Sequence, residues 1–115
     1  MALSLQEERE KYISELDYAL RYITDTLRVN PQVQRLILFG SYASGRRDLF
    51  TDLDILVIME SEQDFITRSA ALRQSLHSGV DMDLMVYTPQ EFEIMQEKGF
   101  LKHALKNSQV LYERK

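Results

Sequence analysis

The sequence predicts a single α/β domain in which a small sheet is packed by helices. Three apolar segments of strand length alternate with a glycine turn and with segments of helical periodicity, which is the pattern of an α/β unit. The chain has 115 residues, which is enough to bury one hydrophobic core and is typical of one domain. Its content of 44% hydrophobic and 28% charged residues is ordinary for a globular protein.

The composition argues against several classes of protein. The chain has no cysteine, which excludes disulfides and thiolate metal sites, and its two isolated histidines argue against zinc. A net charge of -4 argues against general nucleic-acid binding. No apolar run approaches the roughly 18 residues of a membrane span, and the N-terminus lacks a signal-peptide pattern. We therefore expect a cytoplasmic protein with no membrane contact.

The first predicted element is a helix over residues 5–28. Ser4 and Glu7 have the spacing of a capping box at its start, and Asn30 and Pro31 stop it. Apolar residues recur within it at spacings of three and four, so one face of the helix should pack on the sheet. These residues are Ile13, Leu16, Leu20, Ile23 and Leu27, and the face is broadened by Tyr12, Tyr18 and Tyr22.

Two predicted strands follow, one over residues 33–39 and one that begins with Asp52. Side chains alternate along a strand, so Asp52 and Asp54 point to the same face, about 6–7 Å apart. The apolar residues of the second strand divide between its faces, with Leu56 and Ile58 beside the aspartates and Leu53, Ile55 and Val57 opposite. The two aspartates could merely edge a loop, because aspartate is common in turns. As a pair on one face at the mouth of a strand, they predict a cation site.

A glycine turn between these strands predicts a phosphate site. Gly40 lets the backbone approach a ligand closely, and Ser41 can donate a backbone N–H and a hydroxyl to a phosphate oxygen. If residues 41–45 form a helical turn, its N-terminus faces the same phosphate. Gly40 and Gly45 imitate the start of a P-loop, but the lysine and the hydroxyl residue of that motif are absent.

The loop over residues 44–51 carries two arginines, Arg46 and Arg47. Either could reach triphosphate oxygens or simply be solvated, and Arg47 is the predicted nucleotide-binding residue. Asp48 is most simply a solvated loop acid. Thr51 is a strand-entry residue that could also support a metal site.

A helix over residues 61–78 should return the chain to a third strand that begins near Val80. The predicted core face of this helix is Phe65, Ile66, Leu72 and Leu76. The third strand carries Asp81 and Asp83 on one face, and if it neighbours the second strand, three carboxylates converge. Each pair about 5 Å apart would repel by roughly 3 kcal/mol at an effective dielectric near 20. A bound divalent cation would offset this repulsion, and a phosphate site beside it suggests a nucleoside triphosphate.

The C-terminal part is predicted to form two short helices hinged at Gly99, followed by a short strand at residues 110–112. The first of these helices starts with a capping box and a proline at its first position, formed by Thr88, Pro89 and Glu91. Met95 and Phe100 should pack in the core. A basic edge could be a solvated face or a docking surface for a partner, and it consists of Lys98, Lys102, His103 and Lys106.

One stretch of the chain resembles a known family. The run Gly40-Ser41, ten residues, Asp52-Leu53-Asp54 resembles the GSx10DxD signature of the minimal nucleotidyltransferases of the DNA polymerase β superfamily. Asp83 resembles the third acid of that family, with Asp81 as the alternative. The resemblance extends over roughly residues 33–93 and more loosely to the C-terminus. It implies the polymerase β-like nucleotidyltransferase fold, with a small mixed sheet packed by helices.

The resemblance assigns roles to the site residues. In two-metal nucleotidyl transfer, Asp52 and Asp54 would hold two Mg²⁺ ions, and Asp83 would hold mainly the ion that activates the attacking group. Asp83 could also assist as a general base. Gly40 and Ser41 would seat the β and γ phosphates of ATP, which leaves the α phosphorus open to in-line attack.

The resemblance also implies a partner. Small stand-alone members of the family are often cytoplasmic prokaryotic proteins paired, as antitoxins, with a HEPN-domain toxin. They are similar in activity to enzymes that transfer AMP from ATP to a hydroxyl, which in some pairs belongs to a tyrosine of the HEPN partner. We therefore predict a Mg²⁺-dependent adenylyltransferase. The alternatives are a non-catalytic nucleotide-binding module that neutralises its partner by contact and, more weakly, an enzyme that modifies a small molecule.

Overall fold

The computed structural model, which describes residues 2–115, is built on a four-stranded mixed sheet. The elements in chain order are α1 (Leu5–Leu27), β1 (Val33–Phe39), α2 (Gly40–Ala43), β2 (Leu53–Met59), α3 (Phe65–Ser75), β3 (Met82–Tyr87), α4 (Pro89–Met95), α5 (Gly99–Leu105) and β4 (Gln109–Glu113). The strand order is β3-β2-β1-β4. β1 is antiparallel to β2 and to β4, whereas β2 and β3 are parallel. The predicted α/β class and mixed sheet are confirmed.

Helix α1 begins and ends within one residue of the predicted bounds. Its N-terminus has the predicted capping box, in which the Glu7 N–H donates to Ser4 Oγ at 3.1 Å and the Ser4 N–H donates to the Glu7 carboxylate at 3.3 Å. The buried residues of the helix are Leu16, Ala19, Ile23 and Leu27. Tyr18 is 71% exposed, so its predicted place on the core face is wrong. Two residues correspond to about 200° of helix rotation, which carries Tyr18 away from Leu16.

Each face of the sheet carries its own hydrophobic core. α1 and the end of α3 cover one face, and α4 and α5 cover the other. The residues of β2 divide as predicted, with Leu53, Ile55 and Val57 in the first core and Leu56 and Ile58 in the second. Asp54 shares the face of Leu56, because side chains alternate along the strand. The candidate carboxylates therefore lie on the side of the sheet that α4 and α5 cover.

The predicted core face of α3 is wrong in its first turn. Phe65 is 37% exposed and Ile66 is 77% exposed, while Arg68 is only 7% exposed. The helix is shorter than predicted because Asp64 caps it, accepting the Thr67 N–H at 2.8 Å. The first turn therefore faces outward, and the residue of α3 that the structure buries most completely is a cation.

Arg68 is held by three partners from different parts of the fold. Its Nε donates to the Gln63 carbonyl at 3.0 Å, and its Nη1 donates to the Val86 carbonyl of β3 at 3.2 Å. Its guanidinium also pairs with both carboxylate oxygens of Glu91 in α4, at 3.0 Å for Nη2. Glu91 in turn accepts the Thr88 N–H at 2.9 Å, as the predicted capping box requires. Arg68 thus joins α3 to α4 through its ion pair and to β3 through its bond to the Val86 carbonyl.

We expect Glu91→Gln to destabilise the protein by about 1–3 kcal/mol, because it leaves the buried Arg68 charge without its counter-ion. The effect is smaller than for a fully buried pair, because the Glu91 side chain is 40% exposed. Urea denaturation at pH 7 measures it, and Glu93→Gln on the exposed face of the same helix is the matched control.

The same ion pair predicts how stability depends on pH. The hydrogen bond from Arg68 lowers the pKa of Glu91 from 4.5 to about 2. A lowered pKa means that the stabilisation is complete above the unfolded value of 4.5 and is lost as the pH falls toward 2. The difference in stability between wild type and Glu91→Gln should therefore shrink through this window. Equal losses for Glu91→Gln and Glu93→Gln at pH 7 would contradict the role given to the ion pair.

The C-terminal elements follow the predicted order but bury different residues. Phe92 and Leu101 are buried, whereas Met95 and Phe100 are 43% and 50% exposed, so their predicted core packing is wrong. Phe100 instead meets the edge of Phe39, with ring centroids 5.8 Å apart. No helix in the described part of the chain combines the length and the apolar character needed to cross a bilayer.

Candidate active site

The candidate site lies where three strand ends meet. β2 and β3 are parallel and start at the same edge of the sheet, and the antiparallel β1 ends there. In this register Asp54 of β2 lies directly opposite Asp83 of β3 on one side and opposite Phe39 of β1 on the other. Gly40 follows Phe39, so the glycine turn and the two carboxylates are neighbours. The two motifs that the sequence predicts to form one site are thus brought together.

The carboxylate of Asp54 is in an environment that disfavours its charge. Burial raises its pKa from 3.8 to about 6, with further contributions from the charges of Asp83 and Asp52 and from a hydrogen bond with Asp83. Burial is the largest cause, as expected for a carboxylate at the edge of a core. Asp83 is the exposed member of the pair. Two carboxylates in contact, one of them partly buried, form the type of donor set that binds a hard divalent cation.

Asp83, and not Asp81, is the acid that faces Asp54. Asp81 precedes the start of β3, and its main-chain carbonyl accepts the Leu53 N–H at 3.4 Å. Asp83 lies two residues further, in register with Asp54. The strand register thus places Asp83, and not Asp81, beside Asp54, and its role as the third acid stays a prediction.

Gly40 has a left-handed backbone conformation and lies against the side chain of Asp54. Its φ of +76° is a left-handed conformation that favours glycine. A Cβ at this position would overlap the carboxylate oxygen of Asp54 and lie 3.0 Å from its Cγ. The glycine is therefore needed both for the turn and for the space that the carboxylate occupies.

Ser41 links the glycine turn to the first acid. It lies in α2, the predicted helical turn, and its Oγ accepts the backbone N–H of Asp52 at 3.4 Å. Asp52 stands just before β2 begins, so it is placed by the preceding loop as well as by the strand. The contact of Ser41 and Gly40 with phosphate stays a prediction.

Asp48 closes the loop before β2 through hydrogen bonds to neighbouring residues of the same loop. The Asp48 carboxylate accepts the Phe50 N–H and the Arg46 Nε–H, both at 2.8 Å, and the Arg46 bond lowers its pKa. The Asp48 N–H donates to Oγ1 of the fully buried Thr51 at 2.9 Å. The bond from the Phe50 N–H to the Asp48 carboxylate is an Asx turn, and the contact with Thr51 closes the loop beside it. Asp48 is a loop acid with a side chain that is 41% exposed, as expected, and its hydrogen bonds within the loop were not predicted from the sequence.

Arg47 is engaged by Tyr42 and by its own loop. Its guanidinium stacks on the ring of Tyr42, 3.5 Å from the centroid, and donates to the carbonyls of Tyr42 and Arg46, each at 2.8 Å. Tyr42 in turn donates its hydroxyl to the carboxylate of Asp17 in α1. Among residues 2–115, Arg47 forms no ion pair. The structure does not bring it together with the predicted site, and a role in binding phosphate stays a prediction.

The structure brings two of the three predicted metal ligands, Asp54 and Asp83, into contact. Asp54 and Asp83 are in contact, and Asp52 is near enough to raise the pKa of Asp54. In the part of the chain that the structure describes, no three His, Cys, Asp or Glu side chains are arranged so that they could hold one ion. The chemistry of the Asp54–Asp83 pair nevertheless fits a divalent cation, because such a charge would offset the repulsion between the carboxylates.

Comparison with known proteins identifies the fold and the chemistry. A family model described as Polymerase beta, Nucleotidyltransferase matches residues 21–115, which include the glycine turn and all three acids. The chain belongs to this nucleotidyltransferase family. It is thus a nucleotidyltransferase enzyme, and such enzymes generally use a nucleoside triphosphate and a divalent metal.

Individual relatives agree with this assignment. The chain is 28% identical over 103 residues to "Putative protein adenylyltransferase MJ0604" of Methanocaldococcus jannaschii, covering 90% of this chain and 97% of the relative. A Sulfolobus solfataricus crystal structure described as a putative nucleotidyltransferase aligns with a TM-score of 0.56 at 16% identity, over 99% of this chain and 91% of that chain. At that identity the likeness shows the fold alone. A chain of the mutant toxin–antitoxin complex MntA–HpeT aligns over 89% of this chain and 72% of its own length, at 22% identity and a TM-score of 0.45, which is too low to carry an argument.

Proposed function

We propose that this nucleotidyltransferase is a Mg²⁺-dependent protein adenylyltransferase. It transfers AMP from ATP to the hydroxyl of a tyrosine on a HEPN-domain toxin, and so acts in the cytoplasm as the antitoxin of the pair. The observation that carries the proposal is the contact between Asp54 and Asp83 on parallel strand ends, directly beside Gly40. The likeness to a protein named as an adenylyltransferase, over 97% of that relative's length, supports AMP as the group transferred and a protein as the acceptor.

Asp52, Asp54 and Asp83 are the residues that would hold two Mg²⁺ ions. Bound there, the cations would supply charge neutralisation at the transferred phosphoryl group and the leaving pyrophosphate, together with a lowered pKa of the acceptor hydroxyl. Asp54, with a pKa of about 6, holds a fraction of a proton near neutral pH, which it must release when a cation binds. Gly40 and Ser41 bind the β and γ phosphates in this proposal and so orient the α phosphorus.

The acceptor approaches from the side of Asp83. Asp83 is exposed, whereas Asp54 is half-buried between β1 and β3. Its carboxylate can therefore accept the proton of an incoming hydroxyl while Asp54 stays in place as a ligand. Phe50 is 78% exposed two residues before Asp52 and is held in the Asx turn of Asp48. In this proposal the exposed ring of Phe50 is a surface against which a protein acceptor packs.

The test is transfer of label from α-phosphate-labelled ATP, with Mg²⁺, to the protein encoded next to this one. We expect label on the wild-type acceptor and a loss of at least about 100-fold with Asp52→Asn or Asp83→Asn, since even partners of metal ligands are worth 10–100-fold. Glu93→Gln, which changes a carboxylate of α4 outside the site, should transfer normally.

Variants of the acceptor decide which hydroxyl receives AMP. Tyr→Phe replacements in the labelled peptide should abolish the label if a tyrosine is the acceptor. Mg²⁺-dependent binding of ATP without any label, together with neutralisation of the partner by Asp52→Asn, would replace the proposal with the contact-only binding module.

A further inference from the structure

The first three turns of α1 extend beyond the hydrophobic core. Over residues 5–15 every side chain is exposed or half-buried, and the first fully buried residue of the helix is Leu16. Core packing therefore accounts for only part of the position of these turns, through the half-buried Tyr12. They contact the segment over residues 44–52, which connects the glycine turn to the first acid.

Two side chains of α1 donate hydrogen bonds to main-chain carbonyls of this segment. Arg9 Nε donates to the carbonyl of Arg47 at 2.9 Å, and the Tyr12 hydroxyl donates to the carbonyl of Thr51 at 2.8 Å. Arg9 is exposed, whereas Tyr12 is half-buried against the core. A hydrogen bond shielded from water holds its geometry better than an exposed one. Tyr12 is thus the stronger of the two connections.

The carbonyl that Tyr12 binds belongs to the peptide unit between Thr51 and Asp52. The N–H of the same unit is that of Asp52, which donates to Ser41 Oγ at 3.4 Å. Because a peptide unit is planar, fixing its carbonyl and its N–H fixes its orientation. Tyr12 and Ser41 therefore fix the orientation of this peptide unit through its carbonyl and its N–H. The next atom of the chain is the Asp52 Cα, which carries the carboxylate side chain.

We propose that Tyr12 is a positioning residue of the site, which fixes the Thr51–Asp52 peptide and through it the carboxylate of Asp52 and the hydroxyl of Ser41. The inference rests on the proposed use of Asp52 and Ser41 in metal and phosphate binding. Tyr12 does not touch the substrate. It stabilises the relative position of the two residues that must contact the same nucleotide.

The state of the Tyr12 hydroxyl agrees with this role. Burial raises the pKa of Tyr12, and the charges of Asp52, Asp81 and Glu15 raise it further. The hydroxyl therefore keeps its proton at neutral pH and remains a donor to the carbonyl.

The test compares Tyr12→Phe with Tyr22→Phe. Tyr22 lies on the same helix, is also half-buried, and its hydroxyl accepts the His77 N–H at 3.2 Å, so its loss removes a hydrogen bond to the segment before β3 and none to the Thr51–Asp52 peptide. We expect hydrogen exchange of the Asp52 amide, measured by NMR, to become about 5-fold faster in Tyr12→Phe, the worth of one hydrogen bond. Tyr22→Phe should leave that amide unchanged.

The same pair of variants is tested for metal binding. In calorimetry with Mn²⁺ and a non-hydrolysable ATP analogue, Tyr12→Phe should weaken Mn²⁺ binding about 10-fold, as loss of an outer-shell partner does. Equal exchange and equal Mn²⁺ affinity in the two variants would overturn the proposal. These measurements need no turnover, so a failure to detect AMP transfer by the wild type would refute the proposed function and leave the role of Tyr12 to be decided by them.

Discussion

Asp54→Asn should abolish nucleotidyl transfer and at the same time stabilise the protein. The variant removes one of the two carboxylates that meet on β2 and β3, so we expect transfer to fall by at least about 100-fold. In metal-free buffer at pH 7.5, we expect the free energy of unfolding to rise by about 1–3 kcal/mol, from the shifted pKa of Asp54. Opposite effects on activity and stability are the signature of a site residue whose charge the fold does not favour.

The gain in stability has a defined pH window. The folded pKa of Asp54 is about 6 and its ordinary value is 3.8, so the folded state holds the proton more tightly than the unfolded state. The contribution of Asp54 to wild-type stability should therefore decrease as the pH rises from about 4 to about 6 and remain lower above that range. Asparagine cannot ionise, so the advantage of the variant should be complete above pH 6 and absent below pH 4.

Urea denaturation with a chelator, run from pH 4 to pH 8 beside the transfer assay, measures both effects. Asp81→Asn is the matched control, because it removes a carboxylate that is two residues from Asp83 but out of register with Asp54. It should leave transfer within a few-fold of wild type. An Asp54→Asn protein that is less stable than wild type, or that still transfers AMP, would show that the carboxylate pair is not the centre of the site.

The parts of the site that sequence reasoning places well depend on local geometry. Alternation along a strand puts Asp54 on the same face as Leu56, and the structure agrees. The spacing of Gly40-Ser41 and Asp52 predicts one site because a short turn and loop must return the chain to the next strand, and Ser41 does contact the Asp52 backbone. The choice between Asp81 and Asp83 needed the strand register, which the sequence does not contain.

The parts that it misses depend on contacts between distant segments. The Arg68–Glu91 pair joins residues 23 positions apart, and the helical pattern around Arg68 gives no sign that a cation is buried there. Tyr12 and Thr51 are 39 positions apart, so a pattern that marks Tyr12 as a core-edge residue does not show what its hydroxyl binds. Asp48 is different, because its Asx turn is local and could have been predicted from turn chemistry.

Gly40→Ala should be as damaging to transfer as the loss of a carboxylate, although it removes no functional group. A left-handed backbone costs an alanine about 1–2 kcal/mol, and the overlap of its Cβ with the Asp54 carboxylate adds the cost of an overpacked site, about 1–3 kcal/mol. We therefore expect a loss of about 2–5 kcal/mol in the free energy of unfolding. The Asp54 carboxylate must also leave the position that it holds beside Gly40, so transfer should fall at least about 100-fold.

Gly45→Ala separates the two causes. Gly45 also has a positive φ, +96°, but a Cβ there would meet nothing within 4 Å. This control should cost only the backbone term of about 1–2 kcal/mol and should leave transfer within a few-fold of wild type. If Gly45→Ala and Gly40→Ala lose the same stability and activity, the close approach of Gly40 to Asp54 has no role of its own.

A double-mutant cycle then assigns the clash to its partner. Asp54→Ala removes the carboxylate that a Cβ at position 40 would overlap and leaves the Cβ of residue 54 at 3.2 Å, so adding Gly40→Ala to that variant should cost little more than the backbone term. The coupling free energy between the two positions should therefore be about 1–3 kcal/mol, the overpacking cost alone, with the double variant more stable than the sum of the singles. A coupling near zero would mean that Gly40 is required only for its backbone conformation. A coupling of about 1–3 kcal/mol would mean that position 40 must be glycine because the Asp54 carboxylate fills the space that a Cβ would need.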